Sequence, residues 1–184
     1  SHLAVAAAMA EQLTGQGWNS LFQAWLAQPL GISADAIYYA NPVNAQGTAN
    51  PLPAGGLRMT MNEYARVLRV VFDRGTLNGS PFISASLFVE QGRLQYPDST
   101  IGNSPPAAGP GQRYGLTAWL DCDTPVSGCN RISSPGAFGF TPWVDRDAGY
   151  YAVLGMYDSQ AGAGGAAVQL EKALHPEIVA ALRQ

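Results

Sequence analysis

Residues able to do acid, base or nucleophilic chemistry are few in this chain. Of the ten basic side chains in 184 residues only one is a lysine, Lys172, and the two histidines, His2 and His175, stand at opposite ends. A serine nucleophile needs a base within hydrogen-bond reach. A Ser-His-Asp relay made from this chain alone is therefore not expected, and no Gly-x-Ser-x-Gly elbow occurs. Asp121, Asp123, Asp145 and Asp147 fall at expected strand ends and turns, where acids serve solvation and turn geometry. The glycines between 162 and 165 lack a phosphate-loop lysine and read as a linker. Cys122 and Cys129 bracket Asp-Thr-Pro-Val-Ser-Gly, a spacing that suits a disulfide closing a small loop better than a Cys-x-x-Cys metal or redox site. No metal and no cofactor is expected. The bridge implies an extracytoplasmic location, periplasmic or secreted.

Composition narrows the partners. Apolar residues make up 47% of the chain and charged ones 12%, with a net charge of -3, enough for a core and too little positive charge for a nucleic-acid partner. The longest apolar stretch, residues 3–10, is far short of the roughly 20 residues that cross a bilayer, so no membrane span is expected. No signal peptide is visible at residue 1, and the start reads as the middle of a longer chain.

The elements that must position any site follow from periodicity and punctuation. Residues 3–13 favour a helix closed by Thr14-Gly15. Trp18, Leu21, Phe22, Trp25 and Leu26 recur at helical spacing, with Asn19 or Ser20 as cap, Pro29 and Gly31 as stops and both tryptophans in the core. These two helices should pair antiparallel. Residues 33–53 read as a long crossing loop. Thr60-Met61-Asn62-Glu63 is a capping box ahead of an amphipathic helix with Gly75 as terminator, its solvated face carrying Arg66, Arg69 and Arg74. A short helix capped by Ser84 follows, then a loop over residues 92–111. Strands are expected at 114–120, around Ile132, at 138–144 and at 150–157, the last two joined as a hairpin through residues 145–149. A final helix over 166–182 should be interrupted at His175-Pro176. Helices, then strands, then a helix read as α+β with an antiparallel sheet and flanking helices.

An ordered set of segments adds to this reading. Leu13-Thr14-Gly15, Pro29-Leu30-Gly31, Pro53-Ala54-Gly55-Gly56-Leu57, Tyr114-Gly115-Leu116, and Ser134-Pro135-Gly136-Ala137-Phe138-Gly139 ahead of Trp143-Val144-Asp145 resemble the β-lactamase-related serine hydrolases. That superfamily includes class C β-lactamases, DD-peptidases and esterases. The resemblance implies a β-lactamase/transpeptidase-like fold lacking its amino-terminal part. It implies residues 1–60 as part of a helical region and 61–184 as a sheet-and-helix region.

The family's chemistry rests on three motifs. Ser-x-x-Lys is absent, since Gln169 stands three residues before the only lysine. Tyr-x-Asn should lie immediately upstream of Ser1; Tyr39-Ala40-Asn41 fits the letters but falls beyond Pro29-Leu30-Gly31 and reads as coincidence. Ser134-Pro135-Gly136 is the counterpart of the family's Lys-Thr-Gly or His-x-Gly strand. The resemblance makes Ser134 a polar cleft residue and the Ala137 amide an oxyanion donor. Pro135 and Gly136 then line the binding edge, Gly136 allowing close approach of an acyl group. Ser134 cannot supply the charge of a lysine, which disfavours a carboxylate-bearing β-lactam, and Pro135 removes a strand donor. A plain strand entry with a proline edge is the alternative.

The expected activity is hydrolysis of a small-molecule ester or amide through an acyl-enzyme, with the nucleophile on an amino-terminal segment or subunit of the same protein. This chain alone should be inactive. A non-catalytic ligand-binding or sensor member of the fold, and a β-lactamase or DD-peptidase-like acylase, are the alternatives. The disulfide has a direct check: the intact mass of the chain should rise by about 2 Da on reduction, and an unchanged mass would remove the case for export.

Overall fold

The structure is a computed structural model that describes residues 2–40, 50–102, 112–122 and 128–184. The chain forms two compact units, Ser1–Val67 and Leu68–Gln184.

In the first unit, helix α1 (His2–Thr14) ends at Gly15 as expected. Its Glu11 carboxylate accepts the Trp18 backbone N–H at 2.7 Å and so caps α2 (Trp18–Phe22). This replaces the expected Asn19 or Ser20 cap. Gly17 occupies the N-cap position without a side chain to offer, and Asn19 is engaged elsewhere. Past Phe22 the helix widens into a π turn, Gln23–Ala27. The widening rotates later residues away from the face projected by straight-helix spacing. Leu21, Phe22 and Ala27 are buried, whereas Trp25 is 58% exposed and leaves the core that the sequence assigned to it.

Part of the expected crossing loop is ordered into β1 (Ile37–Tyr38), which pairs antiparallel with β2 (Leu57–Arg58). Asn41 of Tyr39-Ala40-Asn41 lies outside the described residues. Tyr38 packs edge-on against Trp18 and Phe22, with ring centroids 5.6 and 5.2 Å away, and burial pushes its phenol up to about 12.

Helix α3 (Met61–Phe72) begins with the predicted capping box. Glu63 N–H donates to Thr60 Oγ1 at 3.3 Å while Thr60 N–H donates to Glu63 Oε2 at 2.9 Å. Glu63 Oε1 also accepts the Ser33 N–H at 2.8 Å; this bond, with those from Thr60, holds the carboxyl below its usual range. Arg66 is more than a solvated side chain, because it donates to the Leu30 and Gly31 carbonyls at the end of the second helix.

The second unit begins inside α3. Arg146 donates to the Val71 and Phe72 carbonyls at 2.6 and 3.2 Å, satisfying the helix's final acceptors. Arg74 is likewise engaged, donating to Asn130 Oδ1 at 2.8 Å. Gly75 terminates the helix at φ 86°, where a Cβ would sit 2.0 Å from the Ile83 carbonyl oxygen. A hairpin of β3 (Thr76–Leu77) and β4 (Ser80–Pro81) turns on Asn78-Gly79, both at positive φ. Helix α4 (Ala85–Gln91) follows, but the Ser84 hydroxyl sits 2.8 Å from Ser86 Oγ and makes no cap.

Five antiparallel strands form the main sheet in chain order: β5 (Arg113–Tyr114), β6 (Trp119–Leu120), β7 (Arg131–Ser133), β8 (Thr141–Asp145) and β9 (Tyr150–Leu154). The single strand expected at 114–120 is two strands, because the chain turns between Gly115 and Ala118 with Thr117 at φ 64°. The hairpin through 145–149 is present as predicted. Cys122 and Cys129 form the expected disulfide, with Cα atoms 5.9 Å apart.

Helix α5 (Ala163–Leu182) runs through Pro176 without the expected interruption and takes up Gly164 and Gly165, which had read as linker. Among the described residues no helix is long and apolar enough to cross a membrane, and no cluster of metal-ligating side chains occurs.

The capping box should be measurable in stability. Thr60→Ala removes the acceptor for Glu63 N–H and is expected to lower unfolding free energy by about 1 kcal/mol in urea titration; an unchanged midpoint would show that the box is dispensable.

Candidate functional site

The segment singled out by sequence continues the β7–β8 ladder to its tip. Ser133 faces Trp143, then Ser134 N–H donates to the Pro142 carbonyl at 3.0 Å and Gly136 N–H to the Phe140 carbonyl at 2.7 Å. A four-residue turn closes with Gly139 N–H donating to the Gly136 carbonyl at 3.1 Å. Ser134 and Ala137 are exposed, Pro135 and Gly136 half-buried. Pro135 lies between two residues whose N–H groups face β8, so its missing donor faces away and costs this pairing nothing. The strictest glycine is Gly139: it has φ 101°, and a Cβ there would lie 2.5 Å from Met156 Cε. At Gly136 the nearest atom to a Cβ would be the Phe140 oxygen of the same hairpin at 3.2 Å, which gives this glycine a structural reason as well as the one read from sequence.

The turn's carbonyls are occupied and its amides are open. Gly136 C=O accepts from Gly139, Ala137 C=O from Gly164 N–H at 3.1 Å, and Phe138 C=O from Asp158 N–H at 2.9 Å. The N–H groups of Ala137 and Phe138 donate to none of the described residues. Two consecutive donors on a turn tied down through its carbonyls are suited to an oxygen that develops negative charge. Ser134, three residues before Ala137, is an exposed serine of the same strand end.

A second polar group covers the sheet face beneath α5. The register places Arg131 opposite Asp145 and Ser133 opposite Trp143 on one face. Arg131 Nη2 meets Glu171 Oε1 at 2.8 Å and Asp145 Oδ2 meets His175 Nε2 at 2.8 Å. Asp145 Oδ1 accepts the Asp147 and Ala148 N–H groups at 3.0 and 2.9 Å, the turn role expected of these acids, but the carboxylate is buried. Asp123 lies outside the described residues. The His175–Asp145 pair was not visible in sequence, where 30 residues separate the partners. The only local sign was His175 standing one turn after Glu171. Among the described residues no serine or cysteine bonds to His175.

Asp121, at the end of β6, accepts a hydrogen bond from Gln112 Nε2. Burial pushes its carboxyl up to about 6, and the nearby Glu171 charge adds to this against the opposing Ser133 hydroxyl, Arg131 and Lys172.

No protein-family model and no curated protein matches the sequence. Solved structures do match. A candidate beta-lactamase from Bacteroides dorei superposes with a TM-score of 0.74 over 95% of this chain at 26% identity. Simvastatin synthase LovD from Aspergillus terreus, in its unliganded selenomethionyl form, gives 0.68 over 98% of this chain at 13% identity. The fold is that of the β-lactamase-related serine hydrolase superfamily. This chain spans 55% of the first neighbour and 54% of the second, about half of each, consistent with the carboxy-terminal portion to which the sequence points.

Asp121 makes stability depend on pH in a defined direction. Its carboxyl holds a proton more tightly folded than unfolded, so the group costs stability as pH rises from about 4 through about 6. Asp121→Asn should therefore stabilise the protein at pH 7.5 by up to about 3 kcal/mol and lose that advantage at pH 4. Thermal melts showing equal gain at both pH values, or a loss at pH 7.5, would contradict this.

Proposed function

We propose that this chain forms one wall of the active site of an extracytoplasmic serine hydrolase that cleaves a small ester or amide through an acyl-enzyme. The single observation that carries the reading is the open Ala137 N–H, held on a tied turn at the tip of a strand pair in a β-lactamase-type fold. An amide in this position can bind the oxyanion of a tetrahedral intermediate without reorganising at the moment of reaction. Ser134 is the polar residue three positions before it, and Pro135 and Gly136 line the edge. The nucleophilic serine, its lysine and the tyrosine that assists proton transfer belong to an amino-terminal segment or subunit of the same protein.

Esterase-like chemistry is favoured over β-lactam hydrolysis. Ser134 stands where the resemblance places a lysine, and a neutral hydroxyl does not attract a substrate carboxylate as an ammonium does. The disulfide supports an oxidising compartment.

The test is active-site labelling of the complete protein with a fluorophosphonate, followed by mapping of the labelled serine. A label on Ser-x-x-Lys of the amino-terminal part is expected. Ala137→Pro, which deletes the N–H, should lower kcat by about 100-fold or more while circular dichroism stays unchanged. Folded complete protein with no label and no ester hydrolysis would leave a non-catalytic binding member of the fold.

A further inference from the structure

The turn that carries the open amides also presents an aromatic pair. Phe138 follows Ala137 and is 46% exposed, and Tyr157, just beyond β9, is 76% exposed. Their ring centroids lie 5.6 Å apart with planes inclined at 41°. Exposed aromatic rings are costly to leave wet, yet this pair is held in place by the backbone on both sides. Asp158 N–H donates to the Phe138 carbonyl at 2.9 Å, and Met156 fills the space against Gly139. The same contacts that leave the Ala137 and Phe138 N–H groups free therefore fix the two rings beside them. The adjoining charge is Asp158, an acid, which would repel an anionic group.

We infer that Phe138 and Tyr157 form a binding platform for an aryl group on the acyl side of a neutral substrate. The inference rests on the hydrolase reading above and specifies its substrate class. An acyl carbon whose oxygen sits on the Ala137 N–H places its substituent next to residue 138, because amide and side chain belong to one turn. Two inclined rings offer a flat group one face and one edge, the arrangements aromatic pairs prefer. Tyr157 also keeps a hydroxyl at its outer tip. Nothing basic lies in the adjoining sequence, residues 156–160, to reward a carboxylate.

The test compares two esters that differ only by a phenyl group, ethyl hydrocinnamate and ethyl propanoate, on the complete protein. The ratio of their kcat/KM values is expected to favour hydrocinnamate by about tenfold, and Phe138→Ala or Tyr157→Ala should cut that ratio by about three- to tenfold. A ratio unchanged in both folded variants would overturn the platform. Saturation-transfer NMR with hydrocinnamamide supplies a readout that needs no turnover. Transfer to its phenyl protons that weakens in both variants supports the platform even if no ester is hydrolysed, in which case only the hydrolase reading fails. Transfer that is absent, or equal in wild type and variants, overturns the platform whatever the esterase result.

Discussion

A salt bridge and a histidine–carboxylate hydrogen bond, one helical turn apart, fix α5 on the sheet. Glu171 and His175 reach Arg131 and Asp145, which stand opposite each other on adjacent strands. Glu171 and Asp145 are almost fully removed from solvent, so each carboxylate depends on its partner to offset lost hydration. Such pairs contribute little net stability compared with apolar packing, but they specify position, because a shifted helix would strand four polar groups. Ala163, Ala167 and Val168 supply the apolar contact at the start of the same helix. These polar pairs choose which turn of α5 sits over which strand, and the small side chains let it approach.

The candidate site inherits that placement. Gly164, near the start of α5, donates to the Ala137 carbonyl, so the turn at the tip of β7–β8 is tied to a helix whose register is set by the polar pairs further along. Asp158 holds the next carbonyl and Met156 fills the space that a side chain at Gly139 would need. The turn's acceptors are thereby consumed by structure while two of its donors remain open. A loop of this kind, fixed by neighbours through one set of groups and exposed through another, is how a rigid scaffold presents chemistry at its edge.

What the sequence disclosed was mainly local. The Thr60–Glu63 box, the hairpin through 145–149 and the Cys122–Cys129 bridge depend on residues a few positions apart, and each is present. Residues 114–120 look like one strand because Tyr, Leu, Thr and Trp favour extended chain, but Gly115 allows a turn that carries Thr117 to positive φ. Asn78-Gly79 was a legible hairpin signal that the two-residue strands beside it concealed. Pro176 interrupts nothing, since the carbonyl it leaves unbonded belongs to Lys172, which is exposed where water can serve. Trp25 was misplaced by a change in helix type that no single residue announces. The segment 134–137 was visible only through resemblance, and the partners of Arg131 and Asp145 lie 40 and 30 residues away, beyond any periodicity.

Asn19 shows how much can rest on one carboxamide. Its Nδ2 donates to the Tyr38 carbonyl at 2.9 Å and its Oδ1 accepts the Tyr38 N–H at 2.7 Å, so a single side chain serves β1 as a neighbouring strand would. Asparagine is also the residue that loses its amide nitrogen as proteins age. Deamidation at this site would set a carboxylate against the Tyr38 carbonyl, turning the donor half of the clasp into a second acceptor. Losing that donor would weaken the grip on the edge of β1. The first unit therefore depends, along the edge of β1, on which way a single carboxamide faces.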